Sequence, residues 1–253
     1  MTAIGGAGSC VVVRKNIETR PNRRETKLII PGKNGAEYIN DECFDNVPAS
    51  YSLVFTDFSK IDAVVNYLLG QRGFFRLEDD YDTDIYRVAR VSSANPRTDD
   101  RRMGFIELVF ECKPQKYLKP TTALPEMIDI QDSAVHEIEN PTAQTSKPLI
   151  RVYGDNGEVK IRLKLDAASV YKYSFTVADG IYPTVNSIVV DSDKEDVYAN
   201  DINYNSYVTF TGTTHDFPLL EGYKQGVTNS NVTQISITGD ISRIVIYPRW
   251  WKL

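Results

Sequence analysis

Histidine, the side chain most often used for acid–base or metal chemistry near neutral pH, occurs only twice in this 253-residue chain. Neither His136 nor His215 has a cysteine or a second histidine at the spacing of a zinc site. His215 and the adjacent Asp216 could belong to a hydrolytic triad, but the chain has no G-x-S-x-G elbow to hold a nucleophile. We expect two solvated loop histidines, with no catalytic or metal site around them.

The densest acidic stretch is EDDYDTD, residues 78–84, and calcium binding is the chemistry that it suggests. Asp80, Asp82 and Asp84 match the first ligand positions of an EF-hand loop. The next position should be Gly, for a sharp turn, and is Ile85; the closing Glu is missing as well. We therefore interpret the stretch as a solvated turn between two strands. A carboxylate pair for sugar hydrolysis stays open, because the sequence singles out no pair.

Phosphate-binding motifs are not found either. GGAG at 5–8 fits neither a dinucleotide fingerprint nor a P-loop, since no Lys-Ser/Thr follows it. The basic pairs Arg23-Arg24 and Arg101-Arg102 have acidic residues close by, and the net charge is −5. We expect no cofactor and no sequence-specific nucleic-acid binding.

The elements that would position any site are mostly strands. The chain has 15 Tyr and 10 Phe, and aromatic and β-branched residues fit a pleated surface. Between these segments lie turn residues, such as PGKNG at 31–35, where Asn34-Gly35 suits positive φ. Six strands are predicted in the first part, at 10–15, 25–31, 50–56, 73–78, 86–92 and 103–113. Seven are predicted in the second part, at 149–154, 158–165, 170–177, 187–192, 206–212, 232–239 and 241–248, and this number indicates a sandwich.

One segment, SKIDAVVNYLLG at 59–70, has the period of a helix. Ser59 and Asp62 resemble a capping box, and Gly70 supplies a stop. The apolar face of this helix should pack across a sheet, and it consists of Ile61, Val64, Val65, Leu68 and Leu69.

A charged segment, SANPRTDDRR at 93–102, separates two predicted strands and suggests a hairpin with a long loop at its tip. Loops of this length inside a compact domain are often functional or disordered. Arg97, Arg101 and Arg102 in this tip are therefore candidate contacts to another subunit or domain.

Residues 119–148 hold four of the twelve prolines and show no clean period. We predict a linker here and a boundary near residue 138, which gives domains 1–138 and 139–253.

Cys10, Cys43 and Cys112 are too few and too far apart for a disulfide scaffold, so a reducing compartment is expected. With no signal peptide and no apolar run of about 18 residues, we expect a soluble protein made in a cytoplasm, without a membrane partner.

The sequence closes with ISRIVIYPRWWKL, which contains both tryptophans. Chain ends usually carry small or polar residues, so two large apolar side chains need a partner surface. Trp250 and Trp251 either cover the sandwich core or the seam to the first domain, or they contact another subunit.

The order of several segments resembles the distal tail protein (Dit) family of siphophages, in the compact form from phages of Gram-positive hosts, with a Bacillus phage as the suggested source. RETKLIIPGKNGAEYINDECFDN, RGFFRLEDDYDTDIYRVARV and GFIELVFECKPQKYL carry the likeness in the first half. ENPTAQTSKPLIRVYGDNG, IVVDSDKEDVY and GDISRIVIYPRWWKL carry it in the second half. No single motif is specific, but their order is, and it covers nearly the whole chain.

This resemblance implies a mainly β protein of the phage tail tip, or baseplate, located in the virion. Its N-terminal domain would be β-sandwich-like with one helix and a long hairpin, and would form a homo-hexameric ring, single or stacked. Its C-terminal domain would be a galectin-like β-sandwich facing outward. The ring would join the major tail tube protein to a tail-associated hub or lysin-type protein, leave a channel for DNA during host adsorption, and do no covalent chemistry.

Two alternatives from other classes remain at this point. The C-terminal sandwich could be a carbohydrate-binding module that recognises host-wall glycans, or the chain could be a glycan hydrolase. The first predicts saturable glycan binding by residues 139–253, and the second requires an essential carboxylate pair.

Overall fold

The computed structural model describes residues 10–16, 20–56, 60–100, 103–164, 172–180, 185–212 and 216–253, without the side chains of 40–42, 96–100 and 103. The chain divides into two compact units, Met1–Lys116 with Leu253, and Tyr117–Lys252. The first contains the helix α1 (Ile61–Gly70) and the strands β1 (Cys10–Lys15), β2 (Arg23–Leu28), β3 (Glu37–Phe44), β4 (Val47–Phe55), β5 (Phe75–Leu77), β6 (Ile85–Asp100) and β7 (Met103–Leu118), the last of which ends in the second unit.

Strict alternation of apolar residues builds the main sheet of the first unit, whose order is β1-β4-β7-β6-β5. In β4, the sequence VPASYSLVF buries every second side chain, from Val47 to Phe55. The antiparallel neighbour β7 contributes Ile106, Leu108 and Phe110 to the same face. Because side chains alternate across a strand, the other face of this sheet points away from this core.

The predicted helix is confirmed as α1, and it packs on the buried face of the main sheet through Ile61 and Leu68. Leu69, which the sequence placed on the apolar face, is exposed instead. Gly70 is the last helical residue rather than a stop beyond the helix, and Gln71 forms the C-cap. Ser59, the predicted capping residue, lies outside the described residues.

The long loop predicted for 93–102 is a continuation of the hairpin. β6 runs to Asp100 and β7 begins at Met103, so the strands occupy most of the segment. Turn-forming residues such as Asn95 and Pro96 suggested a loop, but pairing with the neighbouring strand outweighs this local preference.

β2 and β3 form a two-stranded ribbon, residues 23–44, inserted between two neighbouring strands of the main sheet. Its base is closed by a hydrogen bond from the Asp45 N–H to the Asn22 carbonyl, 3.0 Å. At its far end the turn at 31–35 has Gly32 and Gly35 at positive φ, as the PGKNG sequence predicted for Gly35. Every residue of β2 is exposed, so among the described residues the ribbon adds no second layer to the core.

The second unit is a sandwich of two antiparallel sheets. Its strands are β8 (Ile128–Ile130), β9 (His136–Glu139), β10 (Leu149–Tyr153), β11 (Gly157–Leu163), β12 (Tyr173–Val177), β13 (Ile188–Asp191), β14 (Asp196–Ala199), β15 (Ile202–Asn203), β16 (Val208–Phe210), β17 (Val232–Gly239) and β18 (Arg243–Tyr247). A further short strand, β19 (Trp251–Lys252), belongs to neither of these two sheets. One sheet has the order β15-β14-β13-β10-β18-β8 and the other β16-β12-β11-β17-β9.

One apolar core joins the two sheets of the sandwich. Ile150 and Val152 come from the first sheet, and Val159 and Ile161 from the second; all four are essentially inaccessible to solvent. The prediction of a mainly β fold with one helix is thereby confirmed.

The predicted linker contains two strands of the sandwich. β8 pairs with β18 and β9 pairs with β17, so both sheets begin before residue 139. The boundary expected near residue 138 falls inside β9, whereas the compact unit starts at Tyr117. These strands are too short for a visible period, which is why the sequence indicated a linker. That the two parts are independent domains stays a prediction.

Candidate assembly surfaces

The described residues form no metal-binding group of three or more His, Cys, Asp or Glu side chains. His136 Nε2 lies 2.7 Å from Asp132 Oδ1 on the surface, so this histidine pairs with a residue only four positions before it in the sequence. His215 lies outside the described residues, so the imagined triad has no geometry to assess.

The acidic stretch 78–84 is a turn held in place by Asp79, a residue that the calcium-loop comparison did not single out. Its carboxylate accepts a hydrogen bond from Tyr51 Oη at 2.5 Å and pairs with Lys15 Nζ at 2.9 Å. It also accepts the N–H groups of Tyr81 and Asp82. Burial would raise the pKa of Asp79, but these donors outweigh it and lower the pKa.

The ribbon presents several exposed apolar side chains. Ile29 is 71% and Tyr38 61% exposed, and Tyr38 pairs with Lys27 across the two strands. Leu28 and Ile39 are exposed on the opposite face, so each face of the ribbon carries exposed apolar side chains among charged ones. A two-stranded ribbon of this kind is marginally stable in water on its own.

The face of the main sheet that points away from α1 is a second candidate surface. At its β1 edge, Val11 and Val13 are more than half exposed, and Phe105 is exposed further into the sheet. Near β5, the exposed ring of Phe74 lies 5.8 Å from Arg90 Cζ. Glu111, which accepts hydrogen bonds from Asn46 and Arg90, has its pKa lowered by them. The face thus combines exposed apolar side chains with a hydrogen-bonded polar group.

Trp250 is part of the sandwich core rather than an exposed anchor. Its side chain is 7% exposed and packs with the residues that join the two sheets. Its carbonyl accepts the N–H of Leu118 at 2.9 Å. Trp250 thus packs within its own sandwich, and a contact of this residue with another subunit or domain stays a prediction.

Trp251 is half-buried and has a polar anchor. Its indole Nε1 donates to the carbonyl of Thr145 at 3.0 Å. The carbonyls of Pro248 and Arg249, which precede the two tryptophans in the sequence, both accept the hydroxyl of Ser146. The segment 248–251 is thus held by hydrogen bonds along its length, and a contact of Trp251 with another subunit stays a prediction.

Arg249 adds a buried ion pair to this anchoring. Its two Nη atoms donate to the carboxylate of Asp191 at 2.6 and 3.2 Å. Burial would raise the pKa of Asp191, which is 1% exposed, but the hydrogen bonds and charge of Arg249 lower it. Arg249 has a φ of 56°, unusual for a side chain of this size, so its backbone conformation is set by the surrounding contacts.

The predicted contact residues at the hairpin tip have only partial descriptions. Arg97 lies on β6, at a position whose side chain is not described. Arg101 and Arg102 lie outside the described residues. Their role as inter-subunit or inter-domain contacts therefore stays a prediction.

The polar face of β11 is occupied by its own neighbours. Arg162 Nε donates to Gln234 at 2.7 Å, Gln234 donates to Glu137 at 2.8 Å, and Lys164 pairs with the same Glu137 at 2.9 Å. These contacts link the polar side chains of β9, β11 and β17 to one another.

No protein-family model matches the sequence, and no curated protein matches it. In the described part of the chain, no helix has the length and apolar character needed to cross a membrane.

The architecture itself has solved counterparts among phage tail proteins. The crystal structure of the SPP1 Dit (gp 19.1) protein, described as a paradigm of the hub adsorption apparatus in phages that infect Gram-positive bacteria, has a TM-score of 0.64 and 16% identity. The match covers 94% of this chain and 92% of that one.

A further structural neighbour is the phage p2 baseplate in its activated conformation with Sr, at a TM-score of 0.45 and 9% identity, over 94% of this chain and 90% of that one. The resemblance to the Dit family suggested by the sequence is confirmed at the level of the fold, through the SPP1 protein.

Proposed function

We propose that this protein is a structural hub of a siphophage tail tip, which forms a hexameric ring between the tail tube and the host-adsorption apparatus. The observation that carries the proposal is the likeness to SPP1 Dit, because it extends over both units and nearly the full length of both chains. A shared fold alone does not fix a function, so the surfaces of this chain must also suit assembly.

A closed ring requires two different and complementary surfaces on each subunit. The first unit has two candidates, the ribbon and the outer face of the main sheet, and both expose apolar side chains. Exposed apolar patches of this kind mark sites of protein association, and the ribbon would gain stability from being covered. These features support self-assembly through the first unit.

The ring would leave a central channel through which DNA passes. Strong binding to DNA depends on many Lys and Arg contacts to phosphate, which would slow its passage. The net charge of −5 suits a wall that does not grip DNA. The tail tube protein would contact one side of the ring and a tail-associated hub or lysin-type protein the other.

Negative-stain electron microscopy of the purified full-length chain, together with light scattering, tests this proposal. The expected result is ring-shaped particles with six-fold averages and the mass of six or twelve chains. A chain that stays monomeric at high concentration and forms no rings with its tail partners would contradict the proposal. Saturable binding to wall glycans by that monomer would favour the carbohydrate-binding alternative.

A further inference from the structure

The dipeptide Asn-Gly occurs twice in this chain, as Asn34-Gly35 and as Asn156-Gly157. In such a pair the backbone nitrogen of the glycine can attack the asparagine side chain, because glycine has no Cβ to hinder the approach. The attack requires a backbone that is free to rotate and a glycine N–H that is not held by another group. The two dipeptides differ in both requirements.

Asn34-Gly35 lies in the turn of the ribbon, beyond the last strand pair. The register of β2 and β3 ends where Leu28 pairs with Glu37, so the dipeptide is outside the ladder. Both of its residues are exposed, and a Cβ added to Gly35 would meet no described atom within 4 Å. Within the described part of the chain, neither residue makes a hydrogen bond. An ion pair between Lys33 and Glu37 spans the dipeptide, but exposed pairs of this kind contribute little to stability.

Asn156-Gly157, in contrast, is held in the sandwich. Gly157 is buried and begins β11, where it pairs with Val177 on one side and Gly239 on the other. Asn156 Nδ2 donates to Asp240 Oδ2 at 3.3 Å, and the Asn156 carbonyl accepts the Asp240 N–H at 3.4 Å. Rotation at this dipeptide therefore requires local opening of the sandwich.

We propose that Asn34 is a site of spontaneous deamidation in the folded chain, with water as the only co-reactant. The Gly35 nitrogen forms a bond to Cγ of Asn34, the bond from Cγ to Nδ2 breaks, and ammonia leaves with the proton of the Gly35 N–H. Water then opens the resulting succinimide at one of its two carbonyl carbons. Opening at Cγ gives aspartate at position 34, and opening at the backbone carbonyl carbon gives isoaspartate.

Both products place a new carboxylate in the turn that connects β2 and β3. Isoaspartate also lengthens the backbone of this turn by one methylene group. Chains that have waited longer after synthesis therefore differ from new chains in the charge of the ribbon turn. The reaction takes place within one chain and does not require the proposed ring.

Peptide mass spectrometry after incubation at neutral pH tests this site, on the full-length chain kept dilute so that it stays a single chain. Folded samples are compared with samples unfolded in guanidinium chloride, and Asn156 is the internal control because a glycine follows it as well. In the folded chain, Asn34 is expected to react at least about tenfold faster than Asn156, which must wait for local opening. In the unfolded chain the two rates should agree within about threefold, because no structure protects Asn156 there.

Isoaspartate methyltransferase with labelled S-adenosylmethionine gives a second readout, because this enzyme methylates isoaspartate and leaves aspartate unmodified. The label should appear in the peptide that contains position 34. The variant Asn34→Gln should lack this label and should unfold at the same temperature as the wild type.

No reaction at Asn34, or equal rates at the two sites in the folded chain, would overturn the inference. A preference for Asn34 that persists unchanged in the unfolded chain would also overturn it, since the flanking residues and not the fold would then set the rate. A wild-type chain that forms no rings would contradict the proposed function separately.

Discussion

Arg249 and Asp191, 58 residues apart in sequence, form a two-pronged ion pair in which the carboxylate is almost completely buried. The pair ties the segment after β18 to the end of β13. The same segment contributes Trp250 to the core, so one short stretch provides both an apolar and an ionic anchor. The stability of the sandwich should therefore depend strongly on these few residues.

Removal of the Arg249 side chain should destabilise the sandwich by about 3 kcal/mol, because an unpaired buried carboxylate is left behind. Urea unfolding of Arg249→Ala, followed by tryptophan fluorescence, measures this. Arg243→Ala is the matched control, since Arg243 makes a similar two-pronged pair with Asp129 on the surface and its loss should change little. Equal losses of unfolding free energy in both variants would contradict the idea that burial of the Asp191 carboxylate makes its ion pair the more important one.

The Asp191 pair also predicts a dependence of stability on pH. An aspartate in an unfolded chain has a pKa of about 3.9, and in the folded protein the pKa of Asp191 is lower. The pair therefore contributes its full stability above about pH 4 and loses it as the pH falls through the folded pKa. Thermal unfolding of the wild type should show this loss on acidification, and Asp191→Asn should show a flatter profile in the same window. A parallel decline in both proteins would indicate that other carboxylates dominate.

The two adjacent tryptophans should differ in their contribution to stability. Trp250→Ala empties a core position and should cost about 3–5 kcal/mol. Trp251→Phe keeps a ring but removes the hydrogen bond to the Thr145 carbonyl, which should cost about 1 kcal/mol. Chemical denaturation of both variants, followed by circular dichroism, gives the comparison. If Trp251→Phe were the more damaging change, the assignment of Trp250 to the core would be wrong.

The ribbon should be needed for assembly but not for folding of the single chain. Ile29→Asp places a charge on an exposed apolar site and should abolish rings while leaving the unfolding temperature unchanged. Ile202→Asp is the control, because Ile202 is 61% exposed on β15, outside the ribbon, and rings should persist. Microscopy and light scattering read out both variants; intact rings from Ile29→Asp would exclude the ribbon as a contact surface.

Local patterns in the sequence predicted the elements that depend on local periodicity. The strand-favouring residues of 50–56 and 158–165 predicted β4 and β11, and the spacing of apolar residues predicted α1. The extension of β6 and β7 was missed, because Pro96 and the adjacent Asp99-Asp100 favour turns while pairing between strands is decided at long range.

The functional surfaces were less predictable than the strands. The RETKLII segment was recognised as a strand, but nothing in its pattern indicated that β2 would lie outside the main sheet. Asp191 has ordinary sequence neighbours, and its significance arises only from its ion pair with Arg249, 58 residues away. The position of a charge relative to a distant residue has no local signature, and this is why the Arg249–Asp191 ion pair could not be predicted from the sequence.

The position of Trp250 in the core also has a consequence for the order of events during synthesis. Domains generally fold as the chain emerges from the ribosome, earlier segments first. The first unit has all but one of its residues available once Lys116 has emerged. The sandwich, in contrast, lacks a core side chain and the acceptor for the Leu118 N–H until residue 250 is free of the ribosome. Prematurely terminated chains should therefore carry a formed first unit and an open sandwich, a state that proteases can remove before it enters a ring.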